Sequence, residues 1–155
     1  PYFIHVIRSG LEVVASLHKA SQNWERSYGI EECVGRWNAD LGLSLGRIGS
    51  PNDQFVSYVQ LSSDPETTLK RLLYGVGLEW EPEVLEDYGS TSEGIVTDTE
   101  EWKTDVGRSI RPSATSEQIL TPEQIDRVTG LLDRRLYDEI LERSGQQSGA
   151  TRGAG

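Results

Sequence analysis

Tyr2-Phe3-Ile4-His5-Val6-Ile7-Arg8-Ser9-Gly10-Leu11-Glu12-Val13-Val14-Ala15-Ser16 follows directly on Pro1. The run from Tyr2 to Ile7 is aromatic and β-branched apart from His5, which is the composition of a buried strand. Arg8-Ser9-Gly10 is a turn. Leu11, Val14, Ala15 and His18 then recur at helical spacing, which predicts a helix over 10–26 with Ser9 in the N-cap place. A helix that follows a strand at once implies that the strand is parallel to its neighbour. Such a strand, turn and helix brings backbone N–H groups and the positive end of the helix dipole to one spot, where an anion can sit. Arg8 lies at the carboxyl end of the strand, the edge at which open α/β sheets bind ligands. Its planar guanidinium matches two phosphate oxygens at once. Ser16, eight residues after Arg8, offers a hydroxyl from the helix.

A second helix is predicted over 30–48, with Val34, Trp37, Leu41 and Leu45 as its apolar stripe. Gly49-Ser50-Pro51-Asn52-Asp53 is a turn, and a second strand is predicted over 54–61, centred on Phe55, Val56, Tyr58 and Val59. Asp64-Pro65-Glu66 starts a helix, with an aspartate cap and proline in the first turn. Leu69, Leu72 and Leu73 are its buried face, and Gly75 and Gly77 end it. A short helix is expected over 82–88. Residues 89–117 are polar, acidic and without period, the pattern of a functional or mobile loop. Thr121-Pro122-Glu123-Gln124 is a capping box. It opens a last helix that is expected to reach Arg143 on the stripe Ile125, Val128, Leu132, Leu136 and Ile140. Residues 144–155, rich in Gly, Ser, Gln and Ala, read as a disordered tail after a domain portion spanning 1–143.

The 155 residues are one ordinary domain's worth. A hydrophobic fraction of 35% and 16 glycines suit a modest core with long connections. The chain starts at Pro1 and contains no methionine, which reads as a piece of a longer protein. The net charge of −10 is local, because 10 acids and one base fall within 79–105 and the rest is close to neutral. General attraction to nucleic acid or to an acidic membrane is not expected. No run is long enough for a membrane span. The single Cys33 cannot form an internal disulfide and fits a reducing, cytoplasmic setting.

The quoted stretch resembles the 3′-phosphate-binding segment of PAPS-dependent sulfotransferases. That family has a strand, an arginine, a turn, and a serine eight residues after the arginine. Here Ser9-Gly10 stands in place of the family's common Asp-Pro. The family also has a strand ending in a Tyr-Glu-Asp-Leu-like segment, with a proline seven residues after the tyrosine. This chain has Tyr58-Val59-Gln60-Leu61 and Pro65 at that spacing, without the Glu-Asp pair. Gly77-Leu78 after the helix matches as well. Trp102-Lys103, ahead of a capped last helix, is similar to a Trp-Lys segment in many sulfotransferases.

The resemblance implies a P-loop-NTPase-like, three-layer α/β fold with a parallel sheet flanked by helices, present here as a partial domain with few strands. It implies sulfuryl transfer from 3′-phosphoadenosine 5′-phosphosulfate to a hydroxyl or amine of a small-molecule, glycan or peptide acceptor, without a metal. Arg8 and Ser16 would hold the donor's 3′-phosphate, and Tyr58 would contact adenine. Lys103, Arg108 and Arg111 are the bases that could reach the same phosphate. The family's 5′-phosphosulfate loop and catalytic base would precede Pro1, so the catalytic groups are unknown. The alternative is a non-catalytic, sulfotransferase-like interaction module. A nucleotide kinase would need a Walker loop, and none is present.

The remaining chemically interesting residues have plainer readings. His5 within the strand reads as a hydrogen-bonded core histidine. His18 would act as a base only if it faced the cleft. Trp24, Trp37 and Trp80 read as packing. Cys33 beside Glu31 and Glu32 lacks an activating cation. The acidic segment reads as a solvated loop, and its spacing fits no metal-binding motif.

Overall fold

The computed structural model describes residues 1–86 and 115–150. The chain forms two compact units, one made of Pro1–Tyr58 with Ser113–Gly155 and the other of Val59–Pro112.

The first unit is built on strand β1 (Phe3–Ile7), helix α1 (Gly10–Ser21), helix α2 (Ile30–Arg47) and strand β2 (Asp53–Ser57). The strands pair in parallel, Phe3 opposite Asp53 through to Ile7 opposite Ser57. Two strands running the same way need a crossover, and α1 with α2 supplies it. The small parallel sheet and its helical crossover make this an α/β arrangement in which helix predominates.

β2 is shorter than the sequence suggests. It stops at Ser57, and the chain turns straight into helix α3 (Tyr58–Ser63). The cause is the partner. β1 ends opposite Ser57 and leaves for α1, so residues 58–61 have no strand to pair with among the described residues, whatever their β-propensity.

Helices cover one face of the sheet. Ile7 packs in a cluster with Trp37, Leu41 and Ile140, and Phe55, Leu136 and Tyr137 join it. A second cluster, centred on Val14, Ala15, Cys33, Val34 and Val128, joins α1 and α2 to the C-terminal part of the chain. Ile4 and Val6 point to the opposite face and are about half exposed, at 54% and 53%. The expected burial of β1 therefore holds only for its last residue. Period-two alternation sends Ile7 into the helices and its neighbours the other way.

The C-terminal part starts with a 3-10 turn at Ser116–Gln118. Helix α6 (Pro122–Leu131) and helix α7 (Arg134–Ala150) follow. The Thr121–Gln124 capping box forms as expected, with Thr121 Oγ1 accepting the Gln124 N–H and Gln124 Oε1 accepting the Thr121 N–H. The single helix expected beyond it is two helices. Asp133 breaks it by capping α7 through the Leu136 N–H at 3.1 Å. Asn38 of α2 secures the break, donating to the Leu131 carbonyl at 3.1 Å and accepting the Asp133 N–H at 2.9 Å. α7 continues past the expected end at Arg143.

In the second unit, α4 (Pro65–Gly75) has the expected start, with Asp64 accepting the Thr67 N–H at 3.2 Å. It ends in a Schellman arrangement. Gly77 has φ +75°, Leu78 N–H bonds to the Leu73 carbonyl, and Gly77 N–H to that of Tyr74. The short helix α5 is Glu83–Glu86. No helix of the described residues is long and apolar enough to cross a membrane.

Candidate functional site

The candidate site lies at the carboxyl ends of β1 and β2, where parallel pairing brings the residues after Ile7 and Ser57 side by side. Those residues are Arg8 and Tyr58. The guanidinium carbon of Arg8 stands 4.3 Å from the centre of the Tyr58 ring, a cation–π stack. Fifty positions separate the two in sequence, and the register of the sheet joins them.

The backbone of Arg8 is held from below. Trp37 donates its indole N–H to the Arg8 carbonyl at 3.2 Å, while its ring is buried in the core. The site is thus tied to α2 through a side chain that the sequence reading assigns to packing alone. Gly10 permits the close approach. A Cβ there would lie 2.5 Å from a Leu132 methyl and 3.0 Å from the Trp37 ring.

Ser9 occupies the N-cap position, but its side chain makes no capping hydrogen bond. The first-turn N–H groups of α1 are therefore not taken up by the serine expected to satisfy them. Glu12 in that turn places Oε2 3.4 Å from Arg8 Nη2 and accepts the backbone N–H of Ser116 on Oε1 at 3.2 Å. Sequence reasoning missed Glu12, although an acid in the first turn of a helix that starts two residues after Arg8 is close enough in sequence to meet its guanidinium. Ser16 follows Glu12 by one turn on the same side of α1 and is exposed. Lys103, Arg108 and Arg111 lie outside the described residues, as do Trp102 and most of the acidic segment.

The other residues singled out in the sequence serve the fold. His5 donates from Nε2 to Asp53 Oδ1 at 2.8 Å, and its Nδ1 meets Ser44 Oγ at 3.1 Å. Its ring stacks on Phe55 at 4.5 Å. A hydroxyl, an imidazole and a carboxylate in this order are the parts that activate a serine nucleophile. Here Arg47 grips both oxygens of Asp53, at 3.0 and 2.7 Å, so the carboxylate is committed to an ion pair within the fold. The network ties α2 to both strands at the end away from Arg8. Hydrogen bonds from Arg47, then Ser50, then His5 hold the Asp53 carboxyl well below the usual carboxylate range.

That depression fixes the sign of a pH effect. A carboxyl with a lowered folded-state pKa adds stability above its unfolded value of about 3.9, and loses it as the pH falls through the folded value. Asp53→Asn is expected to melt lower than the natural chain at pH 7. The gap should narrow steadily below about pH 4. Melting curves from pH 7 to pH 2 check this, and a constant gap would contradict it.

His18 donates from Nδ1 to the Tyr28 carbonyl at 2.9 Å, in the last turn of α1 and away from Arg8. Cys33 is fully buried, and burial pushes its thiol pKa up. Trp24 meets Tyr28 edge-on and Trp80 lies under Lys70. Among the described residues no group of three or more His, Cys, Asp or Glu side chains could hold a metal ion.

No protein-family model matches the chain, and a search of curated proteins finds no match either.

Proposed function

We propose that this chain forms the 3′-phosphate and adenine side of the donor site of a PAPS-dependent sulfotransferase. The observation that carries the reading is the meeting of Arg8 and Tyr58 at the carboxyl ends of two parallel strands, beside the start of α1. One supplies a fixed cation for a phosphate and the other an aromatic face for a base. In this reading the two strands belong to a P-loop-type parallel sheet, and the chain works in the cytoplasm.

The donor, 3′-phosphoadenosine 5′-phosphosulfate, brings the sulfuryl group for transfer to a hydroxyl or amine acceptor. The residues of this chain bind and orient it. Arg8 pairs with the 3′-phosphate, the first-turn N–H groups of α1 face the same charge, and the Ser16 hydroxyl adds a donor from the helix. Tyr58 orients adenine. Lys103, Arg108 and Arg111 are further candidates for the phosphate.

Calorimetry separates this from general nucleotide affinity. Adenosine 3′,5′-bisphosphate is expected to bind about tenfold to a hundredfold more tightly than adenosine 5′-monophosphate, the range for one well-placed charge-assisted contact. Equal affinities, or no binding of either, would contradict the reading. The half-exposed Ile4 and Val6 of β1 are the one observation that favours the second reading, a non-catalytic interaction module.

A further inference from the structure

The arginine of the candidate anion site has an internal partner. Glu12 divides its two carboxylate oxygens between Arg8 Nη2 and the backbone N–H of Ser116. The two contacts differ in kind. The Ser116 amide belongs to a residue that is only 1% exposed and accounts for one oxygen at 3.2 Å. The Arg8 contact is longer, at 3.4 Å, and both side chains keep some exposure, 20% for Arg8 and 29% for Glu12. Glu12 is therefore anchored by the amide and rests on the arginine. A phosphate arriving at Arg8 meets a carboxylate of its own sign already there, and like charges on one guanidinium oppose each other.

We propose that Glu12 is an internal counter-ion of this anion site, competing with a phosphate for the Arg8 guanidinium. This rests on the donor-site reading and deepens it, because it names a group that weakens the hold of the site on an anion. The incoming phosphate displaces Glu12 from Nη2, and Glu12 keeps its hydrogen bond to Ser116. Arg8 stays stacked on Tyr58, so the cation does not have to be repositioned. An anion of two charges then competes better than one of a single charge, and the site favours a terminal phosphate over a carboxylate or a phosphodiester.

Glu12→Gln is the test, since the amide keeps the shape and can still accept the Ser116 N–H. The probes are adenosine 3′,5′-bisphosphate and adenosine 5′-monophosphate, titrated calorimetrically against the natural chain, E12Q and Arg8→Ala. The counter-ion role predicts that E12Q binds the bisphosphate about threefold to tenfold more tightly, with no change for the monophosphate. A purely structural role for Glu12 would weaken both ligands or alter neither. Bisphosphate affinity that is unchanged or reduced in E12Q, with its melting temperature kept, overturns the proposal while leaving the donor-site reading intact. If Arg8→Ala binds the bisphosphate as well as the natural chain does, the donor-site reading fails as well. Absence of bisphosphate binding in both the natural chain and E12Q overturns both.

Discussion

Replacing Trp37 by alanine is expected to destabilise the first unit by about 3–5 kcal/mol, the usual cost of truncating a buried tryptophan. The ring is 6% exposed and packs with Ile7, Leu41 and Ile140, with Tyr137 at 5.9 Å. Deleting it opens a cavity where strand, α2 and α7 meet. Small domains have about 5–15 kcal/mol in all, so the variant should be close to unfolding at 37 °C. Trp37→Phe separates packing from anchoring. It keeps most of the ring and loses the hydrogen bond to the Arg8 carbonyl, which should cost roughly 1 kcal/mol. Urea unfolding followed by far-ultraviolet circular dichroism measures both. A loss below about 1 kcal/mol for the alanine variant would show that this ring does not hold the core.

The second large effect concerns binding. Arg8→Ala is expected to weaken adenosine 3′,5′-bisphosphate by about 1.5–3 kcal/mol, close to tenfold to a hundredfold. The same change removes the stack on Tyr58 and the pair with Glu12, both at the end of the strand. Contacts of that kind contribute roughly 1 kcal/mol or less each to stability. Affinity should therefore fall further than folding does. Bisphosphate affinity that survives the substitution would remove Arg8 from the site.

Much of this arrangement was legible in the sequence where the signal is local. Strand, turn and helix followed from the apolar run before Arg8 and the helical spacing after it. Asp64-Pro65, Gly77 and the Thr121 capping box each formed the end they announce. The misses depend on partners distant in sequence. Tyr58 to Leu61 read as strand because aromatic and β-branched residues favour one, but β1 has no residue left to pair with them. The stripe from Ile125 to Ile140 read as one helix because its period is unbroken. The break at Asp133 is held by Asn38, more than ninety positions earlier.

The site divides in the same way. Arg8 and Tyr58 were each visible as types suited to a nucleotide, but only the strand register puts one over the other. Glu12 escaped notice because an acid beside an expected phosphate looks out of place. Its role becomes visible only with Ser116, which is 104 positions away.

The most direct measurement is amide NMR of the isotopically labelled chain during titration with adenosine 3′,5′-bisphosphate. The donor-site reading predicts that the largest shifts fall on the residues from Arg8 through Ser16 and on Tyr58, with the Trp37 indole N–H following. Shifts concentrated elsewhere, or none at millimolar ligand, would contradict it.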